Sequence, residues 1–134
     1  MNDPYLNDTI AYDRLYDEYK KYGKIIVATD FDDTIFDFHK KGYTYTKVIA
    51  LLKECQELGF YICVFTGTPK VKYDDIRTYC KDIGLNIASI NENPFPMPFG
   101  NDGKMYYNIL LDDRAGLSQS YETLRTLVDK IKEL

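Results

Sequence analysis

The chain has 134 residues, of which 45% are hydrophobic, so residues 1–134 are enough for one domain with a buried core and too few for two. Its net charge of −4 argues against a general affinity for polyanions. Because it has neither a leader-like N-terminus nor an apolar run long enough to cross a bilayer, we expect a cytoplasmic protein without membrane contact.

Helix and strand patterns alternate along the chain. In chain order, the predicted elements are a helix at about 8–22 within an N-terminal extension (1–23), a strand at 25–29, a helix at 48–58 that stops at Gly59, a strand at 60–65, a helix at 76–83 that stops at Gly84, strands at 86–90 and 106–111, and a last helix capped by Ser118. The strands are rich in β-branched and aromatic residues. This order predicts an α/β fold, a three-layer, Rossmann-like parallel sheet with helices on both faces.

Polar residues follow three of these predicted strands. The first strand ends in Asp30, Asp32 and Asp33, the second in Thr66 and Gly67, and the fourth in Asp112 and Asp113. In parallel sheets, ligands bind beyond the carboxyl ends of the strands, so these residues should share one rim. Several carboxylates at one place repel each other unless a cation lies among them. The sequence therefore predicts a functional site at this rim.

The pattern Asp-x-Asp-x-Thr after a strand, a strand-end Thr, a lysine and a final Asp-Asp resembles the haloacid dehalogenase-like superfamily of phosphohydrolases. The resemblance covers about residues 24–117. It implies that Asp30 is the nucleophile of a phosphatase, that Asp32 is its general acid and base, and that an aspartyl-phosphate forms. It also implies phosphate binding by Thr66, Gly67 and Lys104. The metal ligands it implies are Asp30, Asp32 through its backbone carbonyl, Asp112 and Asp113.

Phosphoryl transfer to a carboxylate requires residues of these types. Attack by a carboxylate on an anionic phosphoryl group needs a divalent cation and nearby donors to neutralise charge. Carboxylate oxygens suit Mg²⁺, so the expected cofactor is Mg²⁺. A helix-loop-helix calcium site would need Gly and Glu where Ile35 and Lys41 stand. A receiver domain would place its acceptor Asp at the end of the third strand, where the sequence continues as Ile90-Asn91-Glu92.

Four assignments stay open: the site lysine and the roles of Asp33, Thr66 and Asp113. Asp113 either binds the water shell of the metal or only pairs with Arg114. Lys70 and Lys72, which follow Thr66, are alternatives to Lys104 as the site lysine. Asp33 and Thr66 each have a second interpretation as helix caps, and His39 is interpreted as a surface residue. The alternative function is a non-catalytic module that binds phosphate or a protein partner.

No segment is long enough for the cap domain that many members of this superfamily insert. The rim would then be formed by the residues after Thr34 and by the loop 91–99. Capless members either leave an open site for large substrates or use a neighbouring subunit as a lid, so a homo-oligomer is one expectation. The expected substrate is a phosphorylated small molecule or nucleotide, or a nucleic-acid end, because the Leu-Asp-Asp-Arg ending resembles that of deoxyribonucleotidases and polynucleotide phosphatases.

The three cysteines, Cys55, Cys63 and Cys80, are an odd number at wide spacings. This suits neither a disulfide framework nor a zinc site with close ligand pairs. They are predicted to be buried thiols in a reducing compartment.

Overall fold

A computed structural model describes residues 2–94 and 104–134. In chain order, the main elements are α1 (Asp8–Tyr22), β1 (Ile26–Asp30), α2 (Thr46–Glu57), β2 (Tyr61–Phe65), α3 (Tyr73–Asp82), β3 (Ser89–Ile90), β4 (Ile109–Leu111) and α4 (Leu117–Lys132). Two short 3₁₀ turns, Pro4–Leu6 and Lys70–Lys72, precede α1 and α3. The part of the predicted loop from 95 to 99 lies outside the described residues.

The four strands form one sheet in the order β3-β2-β1-β4, and every pairing is parallel. Asp30 pairs with Phe65, and Thr29 pairs with Leu111. The predicted Rossmann-like α/β fold, a parallel sheet with helices around it, is therefore confirmed, and the described residues contain no cap domain. The same register brings Asp30, Thr66 and Asp112 to the carboxyl edge of three neighbouring strands.

The central strands β1 and β2 are buried along most of their length. One face of the central strands, including Val27, Ile62 and Leu111, belongs to a single buried cluster. The helices contribute the rest of the cluster, with Leu51 and Leu52 from α2 among its fully buried members. Because this cluster lies beneath the carboxyl edge, it fixes the positions of the strand ends that carry the acidic residues.

Helix ends are predicted well where a local signal exists. Helix α1 has the predicted bounds because the Asn7 side chain accepts a hydrogen bond from Ile10 N–H and Gly23 ends the helix in the left-handed conformation. The predicted N-cap of the last helix is wrong. Helix α4 begins at Leu117 after Gly116, which has φ 69° and ψ 40°, so Ser118 lies inside the first turn.

Two strands are shorter than predicted. Before β3, the backbone N–H of Asn86 donates to the Gln56 side chain, so this residue is held by a helix rather than by β2. Before β4, the side-chain oxygen of Asn108 accepts from Ile26 N–H at 2.7 Å and takes the place of a backbone partner. Side-chain hydrogen bonds thus hold the segments before β3 and β4, where periodicity alone predicted strand.

The cysteines are free thiols, and all three are buried, as predicted. Burial raises the pKa of Cys55 to about 12 and that of Cys80 to about 11. None of the helices in the described ranges combines the length and apolar character that a bilayer crossing needs.

Candidate functional site

The first motif forms a tight loop directly after β1. The carbonyl of Phe31 accepts hydrogen bonds from the backbone N–H groups of Thr34, Ile35 and Phe36 at 3.1–3.4 Å. Asp33 has a φ of 63°, a conformation that Asp tolerates better than most residues. The loop therefore turns the chain back at the end of the strand and leaves the side chains of Asp30 and Asp32 at the rim.

Three predicted metal ligands come together at this rim. Asp30, Asp112 and Asp113 each offer a carboxylate oxygen, and these oxygens lie within 4.8 Å of one another. Asp30 and Asp112 are half-buried, and Asp113 is exposed. The carboxylate of Asp32 is not part of this group, and its predicted role as a ligand through the backbone carbonyl stays a prediction.

Thr34 joins the first motif to the end of β4. Its hydroxyl lies 3.3 Å from both Asp30 Oδ2 and Asp113 Oδ1, and it accepts a hydrogen bond from Asp113 N–H at 3.1 Å. The side chain is fully buried. Sequence reasoning assigned no task to Thr34, although the motif Asp-x-Asp-x-Thr contains it. Thr34 orients two of the three clustered carboxylates.

The crowding of carboxylates changes their acidity. Burial, a hydrogen bond with Asp113 and the charge of Asp112 raise the pKa of Asp30 from an ordinary 3.8 to about 7. The backbone N–H of Phe31 acts in the opposite direction. Without a cation, the cluster therefore holds a proton near neutral pH.

This donor set fits a hard divalent cation. All of the clustered ligands are carboxylate oxygens, which Mg²⁺ prefers, and partial exposure leaves room for water ligands. The raised pKa of Asp30 also favours a cation site, because a bound cation would replace the proton as the charge that neutralises the carboxylates. The carboxylates of Asp30, Asp112 and Asp113 thus fit the predicted Mg²⁺.

Asp32 lies beside the cluster and faces a cavity of about 570 Å³. Burial, and next the charge of Asp33, raise its pKa, while His39 lowers it. His39 is exposed, as predicted, and its Nδ1 lies 2.8 Å from Asp33 Oδ2. Asp33 therefore pairs with His39 across the loop, and Asp32 is the carboxyl of this loop that faces the cavity.

The second strand end is held by a residue that the sequence did not single out. Asn91 accepts a hydrogen bond from Thr66 N–H at 2.8 Å and donates to the Thr66 carbonyl at 2.7 Å. It also donates to the hydroxyl of Tyr73 at the start of α3. The Thr66 hydroxyl donates to Thr68 Oγ1 at 3.0 Å. Asn91 thus fixes the backbone of the predicted phosphate-binding loop.

The candidate lysines lie in different places. Lys72 lines the cavity that Asp32 and Gly67 also line. Lys104 lines a second cavity of about 240 Å³ beside α1, together with Arg14 and Glu18. Of these two lysines, Lys72 is the one that shares a cavity with Asp32, and it is one of the alternatives that the sequence left open.

No protein-family model and no curated protein matches the chain. A solved structure of a conserved protein coded by a locus from Bacteroides thetaiotaomicron is similar in fold, with a TM-score of 0.59. The two proteins are 21% identical, and the match covers 82% of this chain and 91% of that chain. At this identity the likeness shows a shared fold, which supports the α/β arrangement.

Proposed function

We propose that the protein is a Mg²⁺-dependent phosphomonoesterase that acts through an aspartyl-phosphate on Asp30. The observation that carries the proposal is the convergence of Asp30, Asp112 and Asp113 within 4.8 Å at the carboxyl edge of a parallel sheet. Such a cluster is costly without a function, because its like charges repel. A cation bound there supplies positive charge against the carboxylates and the substrate phosphate.

The first half of the reaction forms the phospho-enzyme. A carboxylate oxygen of Asp30 attacks the phosphorus, and the bond between phosphorus and the leaving oxygen breaks. Asp32 gives its proton to that leaving oxygen. The raised pKa of Asp32 suits this task, because the carboxyl then keeps its proton at higher pH than a solvated Asp would.

The second half regenerates the enzyme. Asp32, now ionised, takes a proton from a water molecule whose oxygen attacks the phosphorus. The bond between phosphorus and Asp30 breaks, and inorganic phosphate leaves. Thr66 and Gly67 hold the phosphate oxygens, and Asn91 keeps their loop in place. Lys72 is the lysine whose placement favours a role in charge neutralisation, with Lys104 as the alternative.

Phosphate release from a panel of esters tests the proposal. The panel contains nucleotides, sugar phosphates and 3′-phosphorylated DNA, each with Mg²⁺ and with excess chelator. We expect release in Mg²⁺ and loss of release in chelator and in Asp30→Asn. Asp17→Asn, a change at a carboxylate with a 71% exposed side chain, is the matched control and should keep full activity. Binding of phosphate esters without any turnover would contradict the proposal and favour a non-catalytic module.

A further inference from the structure

The cavity next to Asp32 has four aromatic residues in its lining. Its volume of about 570 Å³ lies within the range of small-molecule sites. It lies between the first-motif loop, the segment 67–72 and helix α3. The apolar residues that line it are Phe31, Phe36, Phe38, Pro69, Ile76 and Tyr79. Polar groups, including Lys72 and Asp75, occupy other parts of the lining.

Three of the aromatic side chains pack against one another. Phe31 and Phe36 stack with ring centroids 5.0 Å apart and an interplanar angle of 17°. Tyr79 meets both rings edge-on, at 5.5 and 5.0 Å. The hydroxyl of Tyr79 donates to the Ile35 carbonyl at 2.6 Å, so its proton is already bound inside the protein. A bound molecule would therefore meet the ring of Tyr79 as an apolar surface.

Phe38 extends this surface toward solvent. It lines the cavity and is nevertheless 55% exposed. Its ring contacts His39 edge-on at 5.0 Å. A ligand that covers this apolar ring removes its surface from water, and this burial favours binding.

The position of Asp32 decides which part of a substrate enters the cavity. A general acid must lie beside the oxygen that it protonates, and that oxygen is bonded to the leaving group. Asp32 and Gly67, the predicted proton donor and a predicted phosphate-binding residue, both line the cavity. With the phosphate at Asp30, the leaving group therefore extends from Asp32 into the aromatic cavity.

We infer that this cavity is a leaving-group site that selects phosphomonoesters carrying an aromatic ring. The inference rests on the proposed phosphatase function and adds its substrate class. The ring faces in this lining offer no hydrogen-bond partner for the hydroxyl groups of a sugar, so a sugar leaving group gains less from this part of the cavity than a flat ring does. A flat ring would instead stack against Phe38 and contact Tyr79. Aryl groups and nucleobases share this chemistry.

The test compares esters whose leaving groups are all primary alkoxides, so that leaving-group basicity does not decide the result. Naphthylmethyl phosphate and adenosine 5′-monophosphate carry rings, and glucose 6-phosphate does not. We expect kcat/KM to be about 10 to 100 times higher for at least one ring-bearing ester. Preference for adenosine 5′-monophosphate would identify a nucleotide source, and preference for the naphthyl ester an aryl source. Turnover with equal kcat/KM for all three esters would overturn the inference.

Phe38→Ala removes the exposed wall of the cavity. For the preferred aromatic ester, KM should rise about tenfold with little change in kcat, because the ring contact acts in the ground state and the transition state alike. Values for glucose 6-phosphate should stay unchanged, and Phe38→Tyr should keep the wild-type KM. Tyr5→Ala is the matched control, since Tyr5 is 52% exposed and lies before α1. An equal loss for all esters in Phe38→Ala would overturn the inference.

A binding measurement separates this inference from the proposed function. Naphthylmethanol and adenosine carry the rings without phosphate, so NMR titration of the protein with each reports on the cavity without turnover. At least one should shift the signals of Phe38 and Tyr79, and the shifts should weaken in Phe38→Ala. If no ester is hydrolysed, the proposed function fails, while this titration still decides whether the cavity binds rings. No shifts with either compound would overturn the inference.

Discussion

Because the acidic cluster holds a proton, the free energy of unfolding of the metal-free protein should fall as the pH rises. In the metal-free protein, Asp30 has a pKa of about 7 against an ordinary 3.8. The folded state therefore binds the proton more tightly than the unfolded state does. This stabilisation is fully present below the ordinary pKa and is lost as the pH rises through about 7.

The size of the effect follows from the shift. For a fully buried group, a change from 3.8 to about 7 would correspond to about 4 kcal/mol. Asp30 is only half-buried, so solvent screening reduces the expected loss to about 2 kcal/mol between about pH 4 and pH 8. Urea unfolding at a series of pH values in chelator measures it. Asp30→Asn should remove this part of the pH dependence, and Asp17→Asn should keep it.

Mg²⁺ should oppose the same loss. The carboxylates must release their proton to bind the ion, so added Mg²⁺ should stabilise the protein more at about pH 8 than at about pH 5. The stabilisation should largely disappear in Asp30→Asn. An identical pH dependence in wild type and Asp30→Asn, or equal stabilisation by Mg²⁺ at both pH values, would refute the reasoning about this cluster.

Three further predictions concern residues around the site and core. Thr34→Val leaves the backbone N–H of Asp113 without its partner and should cost about 1–3 kcal/mol of unfolding free energy in urea, whereas Thr34→Ser should cost less. Glu54 forms ion pairs with Arg125 and Lys132, which lower its pKa to about 2. Glu54→Gln should therefore reduce the free energy of unfolding in urea by about 1 kcal/mol, and by less in high salt. The three buried thiols should react with a disulfide reagent in urea and very slowly in the folded protein.

A specific result would contradict each of these three predictions. Equal stability of Thr34→Val and Thr34→Ser would show that the hydroxyl does not matter. The control for Glu54 is Asp74→Asn, which breaks an ion pair whose acid has a 96% exposed side chain and should cost almost nothing. A loss in Asp74→Asn as large as that in Glu54→Gln would contradict the Glu54 account. Rapid thiol labelling of the folded protein would contradict the burial of the cysteines.

The fold was predictable where periodicity and end signals agree. The Asn7 cap and Gly23 define α1, and the apolar strand patterns locate all four strands. The lengths of β3 and β4 were not predictable, because Gln56 and Asn108 replace backbone partners with side chains. The start of α4 was missed because Gly116, rather than a side-chain cap, precedes the helix.

The acidic part of the site was predictable because its residues follow parallel strands, and parallel strand ends meet at one edge. Thr34 had a signal in its motif, but its contact with Asp113 spans 79 residues. Asn91 had no local signal for its role, since it acts on the backbone of Thr66, 25 residues away. The site lysine stayed open because a long flexible side chain cannot be placed from its sequence position.

Detection of the phospho-enzyme tests the central claim most directly. Asp32→Asn keeps the nucleophile and slows the breakdown step, and p-nitrophenyl phosphate needs little protonation of its leaving group. In Mg²⁺, rapid mixing should therefore give a burst of nitrophenol, and mass spectrometry should locate one phosphoryl group on Asp30. The burst should be absent in chelator and in the Asp30→Asn/Asp32→Asn double variant. A phosphoryl group on another residue, or a burst that survives Asp30→Asn, would contradict the account.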